Sequence, residues 1–326
     1  MSRNVTPIKQ YSNKIISTSR HEINLNLCAI QNSSPENPSL INIYMFGAVA
    51  QATYMTDTDM QQTLSTLGFN VNTIRDHNFL KSVCSQDTKG NYLIAFRGTN
   101  NLINWLRDDF LVKLTDMSIL QNNISVHEGF WNALDTHWSD ANNDAGIKTE
   151  ILNDPSYFDA KFYVTGHSLG GGMAFLCALR LLDLGINPEN IKLYTYGQPK
   201  SFGDSIQKII FSSINFLFAQ QEYETSYSAI SRLMQKVEYY RVVNEDDLIP
   251  RLPPKLNICS PLGYTHFGKL VYLDNGTVSY PEEHSENIDI NEWREHLMDP
   301  YLDNIELVIE NQYMNGVCNL ENIDLS

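Results

Sequence analysis

Apolar residues along the chain fall into runs whose spacing separates strands from helices. Ile41 to Tyr54, with small residues through Gly47-Ala48-Val49-Ala50, reads as a helix that opens the main body of the protein. Phe79 to Cys84 and Asn91 to Phe96 are short apolar stretches on either side of Asp87-Thr88-Lys89-Gly90, the pattern of a hairpin. Lys161 to Thr165 ends in β-branched residues and predicts a strand, whereas Met173 to Leu184 (MAFLCALRLLDL) is apolar on a helical period. Tyr239 to Val243 predicts another strand. Lys269–Asp274 and Thr277–Tyr280 flank Asn275-Gly276 as a second hairpin. Strands alternating with helices predict an α/β fold. No internal repeat, linker or low-complexity tract divides the chain. Residues 1–38 end in the loop-like Asn32-Ser33-Ser34-Pro35-Glu36-Asn37-Pro38 and are expected to be a partly ordered N-terminal extension with no assignable role; residues 39–326 are expected to form one domain.

One joint in this pattern carries chemistry. Tyr163-Val164-Thr165-Gly166-His167-Ser168-Leu169-Gly170-Gly171-Gly172 places a serine where a strand runs into a helix. So sharp a turn predicts a strained backbone at Ser168 and an exposed hydroxyl. Gly166 and Gly170 keep bulk away from the turn, and Gly171 lets the helix pack close to the strand. The helix N-terminus adds a positive dipole and free N–H groups suited to a transient negative charge. Ser168 is read as a nucleophile, the alternative being a glycine-rich turn without chemistry.

A serine nucleophile needs an acid and a base, which follow such a joint in the order serine, acid, histidine. The strand Tyr239–Val243 opens into Asn244-Glu245-Asp246-Asp247-Leu248-Ile249-Pro250, where three carboxylates compete. Asp247 is preferred over Asp246, because the apolar pair and proline behind it indicate a carboxylate pinned against a buried surface. Of the eight histidines, His266 precedes the strand that starts at Lys269. Catalytic groups on open α/β sheets gather beyond the carboxyl ends of the strands, so His266 is at the wrong end if that strand is parallel. His296 follows the last predicted strand and is taken as the base. His167 adjoins the serine but points away across the turn and reads as a packed turn residue, and His284 lies among glutamates on a solvated stretch.

Together these residues resemble the lipase class 3 family, the fungal-type triacylglycerol lipases of α/β-hydrolase fold, from about Ile41 to Tyr301. Ala95-Phe96-Arg97-Gly98-Thr99, with Trp105 and Asp108 downstream, resembles the family's FRGT segment. Val126-His127-Glu128-Gly129-Phe130 resembles its HxGF segment, VTGHSLGGG its serine turn, and Asn244–Pro254 with His296 its acid and histidine blocks. The resemblance implies an α/β-hydrolase-type, mostly parallel sheet flanked by helices, with an antiparallel hairpin near the N-terminal part of the sheet. It puts the family's acid on Asp247, and on His266 a histidine that is not the base. It further implies that Thr99 gives its N–H and hydroxyl to the oxyanion, with Asp108 orienting that hydroxyl; an ordinary helix N-cap is the alternative for Thr99. The other donor is the backbone N–H after the nucleophile, that of Leu169. Arg97 is read as a structural ion-pair partner. Over residues 100–110 the resemblance places a mobile lid, in which Leu102, Trp105 and Leu106 would make an apolar face that opens at a lipid interface. The alternative there is a surface helix packed on the core. Secreted members carry a disulfide between the N-terminal region and the C-terminus, which Cys28 and Cys318 would imitate. Residues 206–236 are longer than the family pattern and include Ile209-Ile210-Phe211 and Ile214-Asn215-Phe216-Leu217-Phe218, either an amphipathic helix on the core or a flap over the acyl groove.

Composition sets the remaining bounds. With 326 residues, 42% of them hydrophobic, the chain buries a sizeable core within one domain. A net charge of −15 and a pI near 4.9 oppose a nucleic-acid partner and adhesion to anionic membranes, yet leave an apolar patch free to touch lipid. Cys28, Cys84, Cys177, Cys259 and Cys318 show no CxxC or Cys/His spacing, so no metal or other cofactor is expected, and Cys177 reads as a buried thiol. The first thirty residues hold no continuous apolar stretch and no later one approaches a membrane span. The expectation is a protein without signal peptide or transmembrane segment, cytoplasmic or exported by a signal-independent route. The reading is a cofactor-free serine hydrolase of lipid esters, whose partners are an ester substrate and a transient lipid interface. A phospholipase or short-chain carboxylesterase is the alternative. A lipase-like scaffold without turnover is disfavoured, because it has no need of serine, acid, histidine and FRGT residues together.

Overall fold

The computed structural model describes residues 13–17, 22–26, 38–77, 79–99, 114–119, 122–141, 144–205, 226–245, 247–253, 262–282, 296–314 and 323–324. The first half of the chain gives β1 (Asn13–Ser17), β2 (Glu22–Asn26), α1 (Leu40–Ala52), α2 (Asp57–Thr66), β3 (Phe69–His77), β4 (Leu80–Asp87), β5 (Tyr92–Phe96), β6 (Leu114–Ile119), β7 (Asn122–His127), α3 (Glu128–Trp138) and α4 (Ile147–Leu152). The second half gives β8 (Phe162–His167), α5 (Leu169–Asp183), β9 (Ile191–Tyr196), β10 (Phe202–Ser205), α6 (Ser226–Met234), β11 (Glu238–Asn244), β12 (Leu262–Thr265), β13 (Lys269–Asp274), β14 (Thr277–Ser279), α7 (Met298–Met314) and β15 (Ile323–Asp324).

Strands that are apolar at nearly every position need cover on both faces, which a parallel sheet with helical crossovers provides. The main sheet of the described residues runs β14-β13-β11-β9-β8-β5-β4-β3. Its centre, from β5 through β8, β9 and β11 to β13, is parallel. Antiparallel pairs close both edges: β3–β4–β5 at one and β13–β14 at the other. The period-2 alternation of β5 divides its side chains between two cores. Tyr92, Ile94 and Phe96 join α3, α4, α5 and α6 on one face, while Leu93 and Ala95 join α1, α2 and α7 on the other.

All 13 residues of α1 are buried. A helix that is apolar around its whole circumference must be enclosed, and α1 lies between the sheet and α7. A Cβ on Gly47 would stand 3.0 Å from Leu302 Cδ2 of α7 and 3.2 Å from the Tyr196 ring of β9, so any larger residue would push these side chains back by a few tenths of an ångström. The polar side chains of α1 are paired: Tyr44 donates to Glu306 Oε1 at 2.5 Å, Gln51 donates to Asp299, and Asn42 donates to the Tyr194 hydroxyl.

Both predicted hairpins are present. Cys84 stands opposite Ile94, and Asn275 (φ 42°) and Gly276 (φ 77°) form the left-handed two-residue turn between β13 and β14. The edge strand β3 and a small antiparallel sheet, β12-β10-β7-β6, were not predicted. In β3 (FNVNTIRDH) only its first residue and Arg75 are buried, so the apolar alternation that marks a strand is weak. Within residues 1–38, β1 pairs with β2, and β2 pairs in turn with β15, Leu25 opposite Ile323, in a separate three-stranded sheet. Of residues 206–236 the structure describes 226–236, including α6; Ile209–Phe218 lie outside the described residues, as do Cys28, Cys259 and Cys318. Cys84 and Cys177 are free and buried in the first core, and burial pushes both thiols up. No described helix is long and apolar enough to cross a membrane.

Candidate active site

Strand β8 delivers the chain into α5 through Ser168, whose backbone stands at φ 59°, ψ −129°, a conformation costly for any residue with a side chain. Surrounding bonds impose it. The Ser168 N–H donates to the Tyr196 carbonyl at 2.9 Å, and the Ser168 carbonyl accepts from the Gly171 N–H at 2.9 Å. A Cβ on Gly166 would strike the Gly170 carbonyl, and one on Gly170 the Phe96 carbonyl, so the turn closes only with glycine at both positions. Leu169 is the first residue of α5, which puts its N–H in the first turn, where helix donors lack internal acceptors.

The hydroxyl is not exposed as the turn alone predicts. Ser168 is 1% exposed, and its Oγ is buried without a hydrogen-bond partner. The reason lies in the segment after β5. A Cβ on Gly98 would be 2.6 Å from the His167 carbonyl and 2.9 Å from Ser168 Cβ, so the backbone that carries Thr99 packs directly over the turn.

Beyond the carboxyl end of β11, Asp247 is fully buried. Its Oδ1 accepts the Ile249 N–H at 2.8 Å, and its Oδ2 accepts from His296 Nδ1 at 2.8 Å and from the Tyr301 hydroxyl at 2.5 Å. Burial acts to raise this carboxyl, but His296 and the hydrogen bonds from His296, Tyr301 and Ile249 outweigh it and hold Asp247 below the ordinary carboxylate value. Gly197 (φ 56°) lies under the pair. A Cβ there would meet Asp247 Oδ2 at 2.7 Å and His296 Nδ1 at 2.8 Å. Because Nδ1 faces an acceptor it carries the proton, which leaves Nε2 as the basic nitrogen of the neutral ring. Nε2 of His296 and Oγ of Ser168 are thus two buried polar atoms without partners.

Strand β13 is parallel to β11, so His266 sits before an amino end; its Nε2 faces the Pro250 carbonyl at 2.7 Å, not Asp247. His167 packs inside the turn, its Nδ1 2.7 Å from the Tyr54 hydroxyl and its Nε2 2.6 Å from the His296 carbonyl. Arg97 donates to the Phe79 carbonyl and lies 3.8 Å from Asp76. Asp108, Leu102, Trp105 and Leu106, with the whole of 100–110, fall outside the described residues, as do Asp246 and His284. Sequence reasoning missed Tyr301 and Tyr54. Seventeen tyrosines are present, and nothing in their spacing separates these two from the rest.

A parallel sheet with a strained serine at its central strand–helix joint, and an acid and a histidine meeting after later strands, defines the α/β-hydrolase fold. Residues 93–257 match the family model described as Lipase (class 3), and the chain belongs to that family. Solved structures share the fold. The mono- and diacylglycerol lipase from Aspergillus oryzae superposes with a TM-score of 0.59 at 20% identity, over 80% of this chain and 96% of that one. Rhizomucor miehei triacylglyceride lipase gives 0.53 at 22% identity, over 76% and 84%. Among curated proteins, the lipase of Rhizomucor miehei is 30% identical over 225 residues, covering 68% of this chain and 50% of the relative. The secreted mono- and diacylglycerol lipase 1 of Fusarium solani is 31% identical over 197 residues, covering 60% and 47%. The chain spans about half the length of the curated relatives it matches.

Proposed function

We propose that this protein hydrolyses carboxylic esters of lipids through an acyl-enzyme on Ser168. The observation that carries the reading is the Asp247–His296 hydrogen bond at 2.8 Å in the same buried cluster as a strained serine, with His296 Nε2 and Ser168 Oγ left unpaired. Nε2 takes the Ser168 proton as Oγ attacks the ester carbonyl, and Asp247 stabilises the imidazolium that forms. The tetrahedral oxyanion is received by the Leu169 N–H and by Thr99. The C–O bond breaks, the alcohol leaves with the proton from His296, and water repeats the sequence on the acyl-serine, releasing the acid. No step calls for a metal or cofactor.

The lipid substrate is supported by the two curated relatives described above, both lipases by name. Apolar Leu102, Trp105 and Leu106 in residues 100–110 suit a cover for an acyl chain. The test is turnover of p-nitrophenyl esters from acetate to palmitate, in solution and as emulsions, with Ser168→Ala as the blank. Long-chain preference that rises at the emulsion is the expected result. Short-chain preference without that rise makes the protein a carboxylesterase, and parent turnover no greater than the blank makes it a scaffold.

A further inference from the structure

Two buried groups beside the site have no part in the chemistry above: the Tyr54 hydroxyl and the His167 imidazole. They join its two halves. The Gly98 N–H donates to the Tyr54 oxygen at 3.1 Å, that oxygen lies 2.7 Å from His167 Nδ1, and His167 Nε2 lies 2.6 Å from the His296 carbonyl. The direction of every bond is fixed by one end. A carbonyl only accepts, so the proton on His167 is at Nε2. Burial, and after it the neighbouring His296, hold His167 down to about 3, against the pull of Asp247, so the ring is neutral. Its Nδ1 is then bare and accepts the Tyr54 proton, while a Tyr54 lone pair accepts the Gly98 N–H.

Each end of this chain is anchored to backbone that the mechanism uses. Gly98 precedes Thr99 and packs on Ser168. His296 is gripped at its ring by Asp247 and at its carbonyl by His167, which fixes both the tilt and the depth of the imidazole. His167 itself is the chain neighbour of Ser168, and its ring lies 4.6 Å from the His296 ring, centroid to centroid.

We propose that Tyr54 and His167 are positioning residues, a hydrogen-bonded strut that sets the oxyanion-binding backbone at Gly98–Thr99 and the base His296 at one fixed separation across Ser168. The His296 carbonyl selects the His167 tautomer, and the Tyr54 hydroxyl, donating to the bare Nδ1, holds the ring from its other side. Without that hydroxyl the ring keeps one of its two hydrogen bonds and is free to tilt about it. This role rests on the serine–aspartate–histidine reading proposed above.

The test compares Tyr54→Phe, His167→Leu and His167→Gln on a soluble short-chain ester, each corrected to its folded fraction. Misplacement of the base by a fraction of an ångström lowers kcat by about 10- to 100-fold with KM unchanged, and this is expected for Tyr54→Phe and His167→Leu. Glutamine places an N–H near the position of Nε2, and His167→Gln restores most of the kcat lost in His167→Leu. A second readout is the far-downfield proton NMR signal of His296 Nδ1–H, identified by its loss in Asp247→Asn. It moves or broadens in Tyr54→Phe. Should His167→Leu fail to fold, Tyr54→Phe, which deletes one oxygen, still decides. Parent kcat and an unmoved proton signal in Tyr54→Phe overturn the strut, as does a loss of activity that follows folded fraction or KM alone. Ser168→Ala run alongside separates the two ideas: turnover retained there sinks the triad reading, whereas an inactive Ser168→Ala with a parent-like Tyr54→Phe sinks only the strut.

Discussion

Ser82 and His137 make the hydrogen bond that Ser168 and His296 lack. Ser82 Oγ on β4 lies 2.8 Å from His137 Nδ1 on α3, with both side chains fully buried. Nearby are Arg75, ion-paired to Glu150 at 2.6 Å, and His77, its ring 5.7 Å from that of His137. By contact alone this is the better serine–histidine pair. Yet Ser82 stands in a regular ladder opposite Phe96, with no strained backbone, and no helix begins beside it. His137 Nε2 is buried without a partner, so no carboxylate stabilises its cation. Burial, and then the neighbouring His77, Arg75 and Arg97, hold His137 down to about 4. At the other centre, Asp247 waits on His296 Nδ1, a strained turn fixes the serine, and α5 begins at the next residue. What separates the proposed nucleophile from a core pair is the third group and the backbone beneath the serine, not the serine–histidine contact.

The largest effect expected is therefore lopsided. Ser168→Ala should lower ester turnover by on the order of 10³- to 10⁶-fold while the protein stays folded. Ser82→Ala should leave turnover per folded molecule near that of the parent but cost about 1–3 kcal/mol in denaturant unfolding, through the lost bond to His137. A fluorophosphonate should label Ser168 and not Ser82; label on Ser82 would invert the comparison.

Next in size is the third group. Asp247→Asn leaves the shape but removes the acceptor that fixes the His296 tautomer, and kcat should fall by on the order of 10²- to 10⁴-fold. Tyr301→Phe removes one of the donors to Asp247 and should cost only about 3- to 10-fold, with stability lower by about 1 kcal/mol. Equal losses in the two variants would show that Asp247 acts through packing and not through charge.

A separate effect is on acid stability. Burial holds His127 and His137 down to about 4, below the ordinary 6.5, so the unfolded chain binds protons that the folded protein refuses. Stability should fall as pH drops from about 6.5 to 4, with no further loss from these groups below that. Thermal midpoints measured across this window check the slope, and His137→Gln should flatten it while leaving turnover per folded molecule as in the parent. An unchanged slope would mean that His137 is charged in the fold.

The serine turn was legible because its requirements are local: a strand, two glycines that a Cβ would jam, and a helix, all within ten residues. Asp247 was legible for a similar reason, since Leu248-Ile249-Pro250 announces burial, and Asp247 is buried where Glu245 is only half so. The choice of His296 over His266 needed the direction of β13, a non-local property that sequence supplies only as a condition. Tyr54 and Tyr301 were illegible, since their partners lie 113 and 54 residues away and a tyrosine carries no mark of what its hydroxyl meets. The edge strand β3 hid behind polar alternation, as edges exposed to water do.

The enclosure of α1 has a consequence for how the chain is made. Its face away from the sheet is closed by α7, and Tyr44 waits for Glu306, 262 residues later in the sequence. During synthesis from the N-terminus, a helix that is apolar all round therefore emerges long before its cover. Contacts of such long reach slow folding and leave hydrophobic surface open to association in the interval. A helix buried at every position in the finished protein is left uncovered while the protein is being made.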